Sequence, residues 1–207
     1  MLISKKYRFI FIHIYKNAGS SITKALKPFA QSNWQKKANR IFKIFGISYF
    51  DPRPHPTHIS AAELKSKMSK KRFESYFKFG IVRNPWDWEV SLYTYMLKKP
   101  KHPGHEIVKS FRNFEEYLER KYTKPAKYQK SFLFSDQNEQ LVDFIGRFEK
   151  LDNDFNKICA HLGFTATLPR RNVSNTKPYQ EYYNKRTIEL VRKKLEPDII
   201  LFEYDFE

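Results

Sequence analysis

The stretch that decides the fold is Tyr7–Ser21, which reads YRFIFIHIYKNAGSS. Its first half, residues 7–14, is almost continuously apolar and β-branched, as in a strand buried on both faces of a parallel sheet. The loop that follows contains lysine, glycine and serine, and apolar residues then recur at helical spacing at Ile22, Ala25, Leu26 and Phe29. The pattern predicts a strand, a short loop and a helix. In this arrangement the loop amides and the helix N-terminus bind phosphate.

Two later segments repeat the alternation of strand and helix. Apolar runs at Phe77–Val82 and Phe144–Phe148 predict further strands, and Pro85 suits the first turn of the helix after the former. Strands alternating with helices predict an α/β fold in which helices flank a mainly parallel sheet. The phosphate-binding loop makes this fold P-loop-like, and we interpret residues 1–207 as a single domain.

The ends of three helices can also be predicted. Pro28 indicates that the first helix ends nearby. Gly163 would cap a helix that carries Cys159 on its buried face, so we interpret this cysteine as a core residue and not as a nucleophile. The last helix is expected over Asn184–Glu196, and the aromatic tail is expected to pack back onto the domain through Phe202, Tyr204 and Phe206.

The composition limits the classes of partner. The 207 residues include 39 Lys and Arg against 22 Asp and Glu, which gives a formal net charge of +17. Such a charge attracts anions, whether nucleic acid, a membrane surface, an anionic cosubstrate or an acidic glycan. The single cysteine and the lack of a signal peptide or membrane span in the sequence predict a cytoplasmic protein. Peripheral association with a membrane and the oligomeric state stay open.

Two other functions would also account for the phosphate-binding loop or for the positive charge. A P-loop-like nucleotide kinase would need the Walker A pattern, in which lysine follows the last glycine, but Lys16 precedes Gly19. A basic nucleic-acid-binding module would explain the charge, but the sequence has no RRM, KH, zinc-finger or homeodomain signature. Turnover with ATP and Mg²⁺ would favour the kinase, and RNA or DNA binding that persists at high salt would favour the module.

Residues 12–21, which read IHIYKNAGSS, resemble the 5′-phosphosulfate loop of the sulfotransferases that use 3′-phosphoadenosine-5′-phosphosulfate (PAPS). The likeness is to carbohydrate sulfotransferases and small bacterial members, whose loop usually reads His-Ile-Pro-Lys-Thr-Ala-Gly-Thr-Ser. Tyr15 stands in place of the proline and Asn17 in place of the first threonine. The resemblance implies that Lys16 contacts the sulfuryl group or the bridging oxygen. It also implies a cosubstrate-binding loop that is completed by Asn17, Ala18, Gly19, Ser20 and Ser21.

Residues 79–87, FGIVRNPWD, continue to Ser91 and resemble the 3′-phosphate-binding element of the same family. The resemblance implies that Arg83 and Ser91 hold the 3′-phosphate of the nucleotide. An arginine at the end of a strand offers a rigid fork of donors for such a group. Arg147 and the loop 170–172 (Arg-Arg-Asn) are further candidates for nucleotide contacts, with a solvated basic loop as the alternative interpretation.

His58 is the predicted general base. Histidine can accept a proton at neutral pH. Ser60 and Glu63 have the spacing of a capping box, which predicts a helix directly after His58. The pattern His58-x-x-Ala61 also resembles a histidine motif of the family, whereas His13, within the first strand, is interpreted as structural. The alternative bases are His55, Glu63 and Glu106.

These features predict an enzyme that transfers a sulfuryl group from PAPS to a hydroxyl of a carbohydrate or similar small polar acceptor, releasing adenosine 3′,5′-bisphosphate. The reaction needs an in-line hydroxyl, a base and donors to the leaving phosphate. We expect no metal and no nucleic-acid partner. Segments 31–56 and 98–135 resemble the family least, so we expect them to determine acceptor specificity.

Overall fold

The structure is a computed structural model that describes residues 1–30, 56–169 and 177–207. The strands are β1 (Leu2–Ser4), β2 (Phe9–Ile12), β3 (Phe77–Val82) and β4 (Phe144–Arg147). The helices are α1 (Gly19–Ala30), α2 (Ala61–Lys67), α3 (Lys70–Glu74), α4 (Pro85–Lys98), α5 (His105–Lys109), α6 (Phe114–Lys121), α7 (Lys130–Leu133), α8 (Leu151–His161), α9 (Lys185–Lys194) and α10 (Glu196–Phe202). Short 3₁₀ turns lie at Phe148–Lys150 and Tyr179–Tyr182.

The chain forms two compact units, of which the first comprises Met1–Val82 and Ser131–Asn172. The second comprises Arg83–Lys130 and Val173–Glu207. The sheet belongs to the first unit and has the order β1-β2-β3-β4. The pairs β2–β3 and β3–β4 are parallel, and β1 is an antiparallel edge strand. The predicted α/β class with a mainly parallel sheet and flanking helices is therefore confirmed.

The edge strand β1 is absent from the predicted elements. It has only three residues, too few to show a period, and it forms because Ile3 pairs with Ile10 of β2. The predicted strand over residues 7–14 is shorter in the structure, where β2 covers Phe9–Ile12. All four residues of β2 are buried, as the continuous apolar run predicts.

The core of the first unit fixes where the loop after β2 lies. Apolar residues of α1 and α8 pack against the sheet in one buried cluster, and full burial of each such side chain contributes about 1.5–3 kcal/mol. The Phe11 and Phe79 rings of neighbouring strands stack at 5.3 Å. Cys159 is buried in this cluster, which confirms its interpretation as a core residue.

The predicted helix ends can be compared with the structure where the residues on both sides are described. α1 includes Pro28, and the described residues stop at Ala30, so the end predicted near Pro28 stays a prediction. Gly163 follows α8 with φ +70°, a left-handed conformation that favours glycine, and the N–H of Phe164 donates to the carbonyl of Cys159 at 3.1 Å. The last predicted helix is α9, and it is followed directly by α10, a second short helix that the prediction did not include.

The second unit is built around Trp86 and Trp88 of α4, both fully buried. The Tyr183 hydroxyl donates to the carbonyl of Trp86 at 2.9 Å, and the Phe206 ring lies edge-on to the Trp86 ring at 5.7 Å. Phe202 is also buried. The tail therefore packs back within this unit, as predicted.

An ion pair with a buried carboxylate lies in the same unit. Glu89 of α4 is fully buried and accepts hydrogen bonds from Lys121 Nζ and from the Tyr117 and Tyr122 hydroxyls. Burial raises the pKa of Tyr122 well above its ordinary value, and the Glu89 charge raises it further. Lys121 is the cation that compensates this carboxylate, so we expect the loss of Lys121 alone to be destabilising.

Replacing Lys121 by methionine is expected to lower the free energy of unfolding by about 3–5 kcal/mol, because it leaves the Glu89 charge buried without its cation. Chemical denaturation would measure the loss. The double variant Glu89→Gln/Lys121→Met should recover most of it, since no buried charge remains. Lys98→Met, at an exposed position of α4, is the matched control. A Lys121→Met variant as stable as this control would contradict the expectation.

Candidate active site

The loop between β2 and α1 has a strained backbone. Lys16 and Ala18 adopt φ values of 66° and 56°, in the left-handed region that residues other than glycine rarely occupy. Each such residue costs about 1–3 kcal/mol and persists only where the surrounding structure enforces it. Strain of this kind clusters at ligand-binding loops, and here it immediately precedes the N-terminus of α1, whose first N–H groups have no partner within the helix. Both features are typical of an anion-binding loop.

Asn17 holds this loop in place. Its side chain is buried, and Nδ2 donates to the carbonyl of Ile81 in β3 at 2.8 Å. The asparagine that replaces the usual threonine thus ties the loop to the neighbouring strand.

Gly19 is required by the close approach of His13. A Cβ atom at position 19 would lie 1.7 Å from His13 Nε2, a distance that no real contact tolerates. His13 is itself buried and stacks on Phe11 at 5.6 Å. Of the two serines that follow, Ser20 is exposed and Ser21 is buried, and the Ser21 N–H donates to the Ala18 carbonyl at 2.9 Å.

The structure brings His58 to the start of this loop. His58 Nδ1 lies 3.0 Å from the carbonyl oxygen of His13, and the two rings are 4.6 Å apart. A carbonyl oxygen only accepts, so Nδ1 carries the proton of the neutral ring and Nε2 holds the lone pair. His58 is exposed. This is the tautomer and accessibility that a general base needs.

One aromatic ring, that of Tyr15, adjoins this histidine, and a second, that of Phe132, adjoins Tyr15. The Tyr15 ring lies edge-on to His58 and edge-on to Phe132, with centroids 5.9 Å apart in both pairs. Both Tyr15 and Phe132 are half-buried. These ring contacts were not predicted from the sequence, although Tyr15 replaces the proline usual in this loop.

Of the three alternative bases, the structure describes Glu63 and Glu106. The Glu63 carboxylate accepts hydrogen bonds from the Ser60 N–H and hydroxyl, which confirms the capping box, and these bonds lower the Glu63 pKa. A carboxylate held in this way is a weak proton acceptor. Glu106 belongs to the second unit and has a side chain that is 83% exposed. His55 lies outside the described residues.

The second predicted element centres on Arg83, directly after β3. Its Nε and Nη2 donate to the two carboxylate oxygens of Asp87 at 2.7 and 2.8 Å. The Asp87 pair fixes the guanidinium fork, and Ser91 lies one helical turn beyond Asp87 on α4. Asn84 caps α4 by accepting from the N–H groups of Trp86 and Asp87. The spacing of four between Arg83 and Asp87 could have revealed this pair in the sequence.

Arg147 and the loop 170–172 are the further candidates for nucleotide contacts. The Arg147 N–H donates to Asp154 at 2.9 Å, which ties the end of β4 to α8. The basic loop 170–172 lies outside the described residues.

Within residues 1–30, 56–169 and 177–207, no three His, Cys, Asp or Glu side chains form a group that could hold a metal ion. The helices in these ranges include none long and apolar enough to cross a membrane.

The family model described as the sulfotransferase family matches residues 1–205. The chain belongs to the sulfotransferase family. A protein of Archaeoglobus fulgidus described as uncharacterized is 31% identical to this sulfotransferase over 111 residues, which are 52% of the chain and 85% of that protein.

A crystal structure of mouse sulfotransferase SULT7A1 complexed with PAP is similar in fold, with a TM-score of 0.54 and 16% sequence identity. The match covers 99% of this sulfotransferase and 91% of the mouse chain. The predicted fold and the predicted sulfotransferase family are thus confirmed, and the kinase and nucleic-acid-binding alternatives are set aside.

Proposed function

We propose that this sulfotransferase transfers the sulfuryl group of PAPS to a hydroxyl of a carbohydrate or similar polar acceptor and releases adenosine 3′,5′-bisphosphate. The observation that carries the proposal is the strained loop around Lys16, with an exposed histidine hydrogen-bonded to its first residue. An anion-binding loop and a base in contact with it are what sulfuryl transfer to a hydroxyl requires.

The loop residues hold the 5′-phosphosulfate in this proposal. Main-chain N–H groups at the start of α1 meet the 5′-phosphate. Lys16 stabilises the charge that develops on the bridging oxygen as its bond to sulfur breaks. His58 Nε2 takes the proton of the acceptor hydroxyl as the hydroxyl oxygen bonds to sulfur. The electron pair of the broken bond stays with the released bisphosphate, so atoms and charge balance.

The aromatic residues near His58 suggest the acceptor class. Ligand sites combine aromatic walls with a few placed polar groups. The Tyr15 ring beside the base, with Phe132 against Tyr15, fits a ring-shaped acceptor that presents a hydroxyl. Phe132 falls within the 98–135 segment that we expect to set acceptor specificity. The described part of the 31–56 segment is Pro56 alone.

A screen with PAPS against glycans, glycolipids and phenols, read by mass shift, tests the proposal. Sulfated glycans or glycolipids would support it. Sulfation confined to phenols would contradict the acceptor class, and turnover with ATP and Mg²⁺ but none with PAPS would contradict the donor.

Arg83→Ala is expected to weaken binding of adenosine 3′,5′-bisphosphate by about 10–100-fold, because charge-assisted hydrogen bonds contribute roughly 1.5–3 kcal/mol. Binding of adenosine 5′-monophosphate should change little, since it lacks the 3′-phosphate. Calorimetry measures both affinities.

Arg112→Ala is the matched control for this variant. Arg112 also pairs with a carboxylate four residues later, Glu116, but its side chain is 86% exposed against 12% for Arg83. Equal affinity of the unmodified protein for the two nucleotides would contradict a 3′-phosphate site at Arg83.

A further inference from the structure

The main chain of Arg83 is hydrogen-bonded to the side chain of Gln129, a residue far away in the sequence. Gln129 Oε1 accepts from the Arg83 N–H at 2.9 Å, and Gln129 Nε2 donates to the Arg83 carbonyl at 2.8 Å. One amide side chain therefore bonds both polar groups of the Arg83 backbone. Gln129 is fully buried, with 0% of its surface exposed, so these bonds are shielded from water.

Gln129 is held in turn by a buried carboxylate. Asp198 of α10 has 0% of its surface exposed and accepts from the Gln129 N–H at 2.7 Å and from the Lys130 N–H at 2.9 Å. Burial raises the pKa of Asp198 to about 6, and the two N–H bonds oppose this rise. At neutral pH the carboxylate is ionised and accepts both bonds.

The Asp198 carboxylate holds a part of the backbone that secondary structure does not hold. Residues 125–128, just before Gln129, belong to no helix or strand, so the repeating hydrogen bonds of secondary structure do not fix this approach. The two bonds to Asp198 fix the backbone at Gln129 and Lys130, and the Gln129 side chain fixes the Arg83 backbone. The Asp87 pair then fixes the Arg83 side chain.

We propose that Gln129 and Asp198 are positioning residues that hold Arg83 for recognition of the 3′-phosphate. The inference rests on the proposed function, because it assumes that Arg83 binds this group. A charge-assisted hydrogen bond weakens when its donor is misaligned, since it needs a short distance and a near-linear angle. Loosening the Arg83 backbone should therefore weaken the 3′-phosphate contact specifically.

The test compares two affinities in the unmodified full chain and in Gln129→Met, which keeps the side-chain length but removes both hydrogen bonds. The ratio of affinities for adenosine 3′,5′-bisphosphate and adenosine 5′-monophosphate should fall about tenfold in Gln129→Met, as expected for loss of roughly 1.4 kcal/mol of hydrogen bonding. A purely structural defect would weaken both nucleotides together and leave the ratio unchanged.

The matched control is Gln140→Met. Gln140 is exposed, belongs to the first unit, and its Nε2 also donates to a main-chain carbonyl, that of Val142, at 2.8 Å. This variant should keep the ratio of the unmodified protein. If Gln129→Met does not fold, Asp198→Asn serves in its place, because the asparagine keeps the shape but can accept only one of the two N–H bonds.

The outcomes separate the inference from the proposed function. A reduced ratio in Gln129→Met or Asp198→Asn, with Gln140→Met unchanged, supports the inference. A normal ratio in the folded Gln129→Met or Asp198→Asn variant overturns it while the proposed function stands. No preference for the 3′-phosphate in the unmodified protein overturns the proposed site at Arg83, and the inference with it.

Discussion

Lys16→Ala is expected to lower kcat by about 10²–10³ while the affinity for adenosine 3′,5′-bisphosphate falls much less. The lysine is proposed to stabilise charge that appears on the bridging oxygen only as the bond to sulfur breaks. Removing a group that acts mainly in the transition state lowers kcat more than ground-state binding. Steady-state kinetics with PAPS and an acceptor from the screen, together with calorimetry, measure the two effects.

The control for Lys16→Ala is Lys24→Ala, at an exposed position of α1. Both variants remove one positive charge from the first unit, so a general effect of the +17 net charge would appear in both. Only Lys16 lies in the strained loop. Unchanged turnover in Lys16→Ala would contradict its role, and an equal loss in Lys24→Ala would reduce that role to overall charge.

The strand, loop and helix around Lys16 could be predicted because their signals are local. The apolar run, the glycine and the helical spacing all fall within residues 7–29, and β2 and α1 appear there. The left-handed conformations of Lys16 and Ala18 could not be predicted, since neither is a residue type that favours them. They are enforced by contacts such as the Asn17 bond to Ile81, 64 positions later.

The contacts of Gln129 and Asp198 could not be predicted either, because they join residues far apart in the sequence. Gln129 lies 46 positions from Arg83, and Asp198 lies 69 positions from Gln129. A single glutamine or aspartate carries no periodic signal, so only the folded chain shows that these residues meet. The Asp87 pair with Arg83 is different, because its spacing of four was visible in the sequence.

His58→Asn is expected to lower kcat by about 10²–10⁴, the contribution of a positioned general base, while nucleotide affinity stays unchanged. The asparagine amide can still donate to the His13 carbonyl, as Nδ1 does now, so the start of the loop keeps its hydrogen bond. What the variant lacks is the basic Nε2. The comparison therefore separates proton transfer from support of the loop, which His58→Ala would remove together.

His161→Asn is the control for this variant, since His161 is an exposed histidine of the same unit whose ring lies 4.0 Å from the Phe77 ring. It should keep full activity. Normal turnover in His58→Asn would contradict the assignment and shift the role to another group. Glu63 would be a poor successor, because the hydrogen bonds from Ser60 lower its pKa and occupy the carboxylate. His55→Asn would then be the decisive variant, since it replaces the remaining histidine that precedes α2 by only a few residues.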